Sequence, residues 1–191
     1  MKIEILYPEI CTLYGDKGNT MYLQKCLPDA EFVTTGLNEK PLFLRENIDM
    51  VYMCSMSEKS QELVLDRLMQ YKDEIAACMK DGKALFLLVG NSMELLGDYI
   101  KREDGTRVTG LGVVPGMYSV RQAPNRFNTL IKAKFNDMTL IGYTSRFAHT
   151  YGIPEDMTFC KVEIGQGSNP DTMNEGICKN RVIATYIHGP L

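Results

Sequence analysis

Polar and apolar positions alternate along residues 2–7 (KIEILY) until Pro8 interrupts them, the period-two pattern of a short strand that runs into a loop. The loop PEICTLYGDKGN is rich in turn formers, and from Asn19 the pattern TMYLQKCL predicts a helix that stops at Pro28 and Asp29. Residues 30–35 and 49–54 are predicted as the next strands; the second is more continuously apolar, as suits a strand covered on both faces. The clearest helical pattern spans residues 57–80, where Val64, Leu68, Tyr71, Ile75 and Met79 recur at spacings of three and four and so share one face. Ser57 is a fitting N-cap and Asp81-Gly82 a fitting stop, and a segment of this length admits a bend. Residues 84–89 (ALFLLV) form another apolar strand, after which Gly90-Asn91-Ser92 turns into a predicted helix, MELLGDYI. Beyond Gly105 the texture changes to short strands and turns, with strands predicted at 117–121, 130–135, 139–144, 161–164, 176–179 and 182–186.

This order of elements predicts an α/β fold: a doubly wound, mostly parallel sheet with helices on both faces and right-handed crossovers. No repeat, low-complexity tract or linker divides residues 1–191, so one domain is expected. Composition adds exclusions. Hydrophobic residues make up 45% of the chain and charged residues 24%, the balance of a globular protein. The net charge is -3 with scattered basic residues, which argues against a nucleic-acid surface. No apolar run approaches the roughly 20 residues needed to cross a bilayer, and residues 1–10 carry Glu4 and Glu9 and lack the apolar stretch of a signal peptide. A cytoplasmic location is therefore expected, with no membrane insertion. The six cysteines, at 11, 26, 54, 78, 160 and 178, form no CxxC pair, so neither a structural metal nor a disulfide framework is expected. No cofactor is indicated.

In open α/β sheets sites form at the carboxyl ends of the strands. Four segments converge there: the loop after the first strand, Cys54-Ser55-Met56, Val89-Gly90-Asn91, and Ile187-His188-Gly189-Pro190. An apolar strand that turns sharply into a helix is the layout of a nucleophile elbow, where the following amide can stabilise an oxyanion. His188 ends the apolar run RVIATYI and precedes Gly-Pro, a position where a general base could be held; a turn histidine bonded to nearby backbone fits it as well. His149 has no such framing and reads as a surface or packing residue.

The segments LYGDKGN (13–19), GLGVVPG (110–116), PNRF (124–127) and TYIHGP (185–190), in this order and spacing, resemble class I glutamine amidotransferases of the cobyric-acid-synthase type, most nearly the amidotransferase subunit of lipid II isoglutaminyl synthase. The resemblance implies the flavodoxin-like form of the doubly wound sheet. It also implies a cysteine that attacks glutamine, a histidine that activates it, and ammonia passed to a Mur-ligase-like synthetase subunit in a heterodimer. In cobalamin-pathway relatives the acceptor is a corrin carboxylate instead. Carried over, His188 matches the catalytic histidine, Asp16 an acidic position able to orient it, Arg126 an arginine suited to the carboxylate of glutamine, and Gly90 part of the substrate pocket. Asp16 also suits a helix cap or turn, and Arg126 a solvated loop charge. The elbow cysteine is placed at Val89, which cannot act as a nucleophile, and the glycine-rich oxyanion turn at Cys54-Ser55-Met56. The expectation is a glutaminase-deficient relative. Cys54 is the alternative nucleophile, should the chain be an active amidotransferase or hydrolase.

Overall fold

The computed structural model describes residues 1–13 and 16–189, with the side chain of Asp16 outside the described residues. β1 (Lys2–Leu6) pairs in parallel with β2 (Glu31–Thr35) on one side and β3 (Met50–Met53) on the other. β3 continues in parallel to β4 (Leu85–Val89), and β4 to β13 (Val182–Thr185). The strand order β2-β1-β3-β4-β13 is that of a flavodoxin-like doubly wound sheet. All four residues of β3 are buried, as its unbroken apolar run requires. Antiparallel strands then extend the same sheet through β12 (Asn174–Lys179), β11 (Thr158–Ile164), β8 (Phe127–Phe135) and β9 (Met138–Arg146).

α1 (Asp16–Cys26) connects β1 to β2, and α2 (Glu58–Met69) and α3 (Lys72–Asp81) connect β3 to β4. The long helix expected at 57–80 is thus two helices. Tyr71 leaves helical geometry (φ -115°, ψ 14°), and Asp73 and Glu74 in the next turn favour a fresh N-terminus there. Ser57 caps α2, its hydroxyl accepting from the Ser60 N–H at 3.1 Å.

A second correction concerns the helix expected after β4. The chain instead makes a run of 3-10 turns over Gly90–Leu96 and then a short strand, β5 (Tyr99–Lys101). The carbonyls that would continue a helix are taken by the GLGVVPG loop: Leu111 N–H donates to Leu95 O, Gly112 to Gly97 O, and Val114 to Leu96 O. A Cβ on Gly110 would overlap the Gly97 carbonyl, so the motif needs glycine for close approach of backbone to backbone. β5 joins β6 (Arg107–Thr109), β7 (Tyr118–Arg121) and β10 (Ala148–Tyr151) in a small separate sheet.

One apolar cluster runs from β1, β3 and β4 through α2 and α3 to Ile100, Leu111 and Met117, and a smaller one forms around Ile131, Val162 and Ile187. Among the described residues no helix is long and apolar enough to cross a membrane.

Candidate active site

Val89 closes β4 with extended backbone (φ -114°, ψ 139°) and a side chain fully buried in the core. The sharp turn comes one residue later, at Gly90, whose φ of +69° lies in the left-handed region that favours glycine. A Cβ built on Gly90 would lie 3.1 Å from His188 Cε1, 2.6 Å from Ser55 Cβ and 3.2 Å from Ser55 Oγ. The elbow position that faces the histidine is therefore Gly90, not Val89. The sequence reading took the last apolar residue as the turn, but that residue belongs to the strand and points into the core.

The candidate that follows β3 is corrected as well. Cys54 is buried and lines a different cavity, of about 420 Å³, together with residues of the loop after β1, α1 and β2. Ser55 is the residue that reaches Gly90. Cys54→Ala is accordingly expected to leave any hydrolytic rate unchanged, and a clear loss of rate in that variant would overturn this placement.

Asn91 locks the turn opposite the elbow. Its Oδ1 accepts from Met56 N–H at 2.9 Å and its Nδ2 donates to Met56 O at 2.7 Å. The Met56 amide is thus committed to a side chain rather than left to meet an oxyanion. Ser92 is fully buried, with its hydroxyl donating to Val89 O at 2.7 Å, so it is held inside the 3-10 segment.

His188 follows β13, and because β13 is parallel to β4 it reaches the same end of the sheet as Gly90. An antiparallel bridge to Tyr143 fixes its backbone (His188 N–H to Tyr143 O 2.7 Å, Tyr143 N–H to His188 O 2.9 Å), and the two rings stack at 5.3 Å. Burial lowers its pKa to about 4. The unfolded chain takes this proton near 6.5 and the folded chain near 4, so the histidine's contribution to stability is complete above pH 6.5 and is lost as pH falls towards 4. The imidazole C2–H resonance of His188 is expected to show no titration between pH 8 and about pH 5; a midpoint near 6.5 would contradict the burial.

Gly90 at the end of β4 thus faces His188 beside the turn after β3, and residues 2–191 match the CobB/CobQ-like glutamine amidotransferase domain. The chain belongs to this family. Among curated proteins it is 26% identical, over 195 residues, to the GatD subunit of lipid II isoglutaminyl synthase (glutamine-hydrolyzing) from Streptococcus pneumoniae, covering 100% of this chain and 74% of that one. It is 25% identical to the corresponding Staphylococcus aureus subunit over 182 residues, covering 94% and 73%. Among solved structures, PurLQS from Thermotoga maritima shares the fold with a TM-score of 0.65 at 11% identity, covering 98% of this chain and 86% of that one. A glutamine amidotransferase structure shares it with 0.63 at 13%, covering 97% and 89%.

The remaining residues singled out in this CobB/CobQ-like domain are spread around the elbow. Asp16 begins α1, but its side chain lies outside the described residues. Arg126 is exposed in the turn between β7 and β8, its guanidinium 5.4 Å from the centre of the Phe147 ring, which in turn lines a small cavity beside Ser55 and Asn91. His149 is a packing residue, 4.1 Å from Phe127 between ring centres, with its pKa lowered to about 4 by burial. The sequence reading missed a buried polar frame behind the elbow. Glu94 accepts from Gln61 Nε2 at 2.9 Å and from the Tyr186 hydroxyl at 2.8 Å. Glu175 accepts from Tyr186 N–H and Thr185 Oγ1, both at 2.7 Å. Both acids sit inside apolar stretches, MELLG and NEGIC, which was the available signal.

Proposed function

We propose that the chain is an amidotransferase-like subunit in lipid II amidation, working beside a Mur-ligase-like synthetase in a heterodimer, and that it has lost glutamine hydrolysis while keeping a ligand pocket. The observation that carries this reading is the glycine at the elbow: with no side chain at residue 90 there is no thiol to attack an amide, and no thioester can form. Two neighbouring features support it. Ser55 fills the space that an elbow side chain would need, and Asn91 occupies the Met56 amide. The two relatives support the lipid II setting, since both are subunits of lipid II isoglutaminyl synthase. In such a complex the synthetase can draw on free ammonia while this subunit binds and regulates.

His188 facing Gly90 and the exposed Arg126 over Phe147 support a surviving pocket for glutamine or a related amino acid, with the guanidinium of Arg126 as a carboxylate partner. Calorimetric titration with L-glutamine is expected to give saturable heat in the millimolar range without turnover. The absence of heat at millimolar glutamine would remove the binding half of the reading.

A further inference from the structure

Two buried guanidinium groups converge on the cavity beside Ser55 and Asn91, which has a free volume of about 20 Å³. Arg146, at the end of β9, is 3% exposed. Its Nη2 donates to Gly167 O at 2.5 Å and reaches Gln166 Oε1 at 3.4 Å, and its Cζ lies 4.4 Å from the centre of the Tyr186 ring. Among the described residues its Nε and Nη1 have no hydrogen-bond partner, and no carboxylate lies within ion-pair distance. Arg121, on β7, lines the same cavity. It pairs with Glu62 Oε1 at 2.7 Å through Nη1 and donates to Gln61 Oε1 at 2.9 Å through Nη2, while its Nε has no partner among the described residues.

The carboxyl groups nearby give Arg146 attraction but no direct ion pair. Glu62 is already shared between Arg121 and Arg102. Glu94, on the cavity wall, and Glu175 are fully buried, and desolvation pushes both towards the neutral form. Glu58 also lines the cavity, but only its backbone carbonyl meets Arg121, at 3.2 Å from Nη2. A guanidinium stays charged, and a buried charge with unmet donors is strongly unfavourable unless an anion or polar ligand completes it.

We propose that this cavity holds a carboxylate group of a small ligand, bound by the Nε–H and Nη1–H groups of Arg146 with help from Arg121 Nε–H. The free volume is about that of one water, room for one carboxylate oxygen set against these donors. None of these donors is the elbow residue, so the site stands whether or not the elbow is active.

The test is formate titration of the protein at constant ionic strength, read by calorimetry and by thermal unfolding. Saturable binding and a rise in Tm are expected, with affinity weakened about tenfold or more in Arg146→Gln. If that variant does not fold, Arg146→Lys keeps the charge but removes the planar fork, and it is expected to weaken formate in the same direction. Competition by L-glutamine against formate would mean that an amino acid carries the carboxylate; formate binding untouched by L-glutamine would mean a separate small acid. The absence of any saturable formate effect, as for a cavity filled by water alone, would overturn the proposal. So would an effect of equal size in wild type and Arg146→Gln.

Discussion

A chain carrying Gly90→Cys together with Ser55→Gly is expected to release ammonia from L-glutamine at about a hundredfold or more above the wild-type background. The reasoning is spatial. A Cβ at residue 90 points at His188 Cε1 from 3.1 Å, so a thiol there would meet the one imidazole at this end of β13. The same Cβ would stand 2.6 Å from Ser55 Cβ, closer than real Cβ atoms approach, so Gly90→Cys alone is expected to be destabilised and inactive. Removing the Ser55 side chain opens the slot, leaving the tight approach to His188 and the strain of a non-glycine residue at φ +69°, about 1–2 kcal/mol. Val89→Cys is the control: its thiol would enter the core, and no activity is expected. Adding Asn91→Gly should free the Met56 amide and raise the rate further. Ammonia release in Val89→Cys but not in the double variant would return the elbow to residue 89.

Replacing Glu175 by alanine is expected to lower stability by about 3 kcal/mol in urea unfolding, whereas Glu175→Gln should cost less than about 1 kcal/mol. Glu175 is 0% exposed, and its two oxygens hold the end of β13 by accepting from Tyr186 N–H and Thr185 Oγ1, with Cys160 Sγ at 3.7 Å. Thr185 Oγ1 in turn accepts from Ile187 N–H at 3.0 Å, next to His188. Alanine leaves this relay with unmet donors and a cavity. Glutamine keeps an acceptor for Tyr186, and burial already favours the uncharged form of the acid. Because the relay ends beside His188, the alanine variant should also move the histidine pKa up from about 4 towards 6.5 as water reaches the ring. Equal destabilisation by alanine and glutamine would mean that the charge, not the acceptor, is what matters.

How far the sequence carried depends on the length of each signal. The apolar runs of β3 and β4 and most of the four- to nine-residue strands after residue 117 were legible because each has enough positions to show a period, whereas β10 was not read. β5 and β6 have three residues each and pair with β7 and with one another, so only tertiary pairing defines them. The helix expected after Gly90 failed for a similar reason: its carbonyls are taken by a loop some fifteen residues later, which no local pattern reveals. The meeting of His188 and Gly90 at one end of the sheet was legible from their place at strand ends. The roles of residues 89 and 90, and of Cys54 and Ser55, were read one position early. A strand's side chains alternate in direction, so a slip of one residue exchanges core for site. Arg146 and Glu175 lie far apart in sequence from the elbow, and only the fold brings them behind it.

The most direct test of the central claim is ammonia release from L-glutamine by the wild-type protein beside His188→Ala, with the Gly90→Cys, Ser55→Gly double variant as the positive reference. Wild type and His188→Ala are expected to give the same background, because the elbow offers no attacking atom. Clear release by the wild type that His188→Ala abolishes would contradict the account and would put a working nucleophile in reach of this histidine, with Ser55 the first residue to replace.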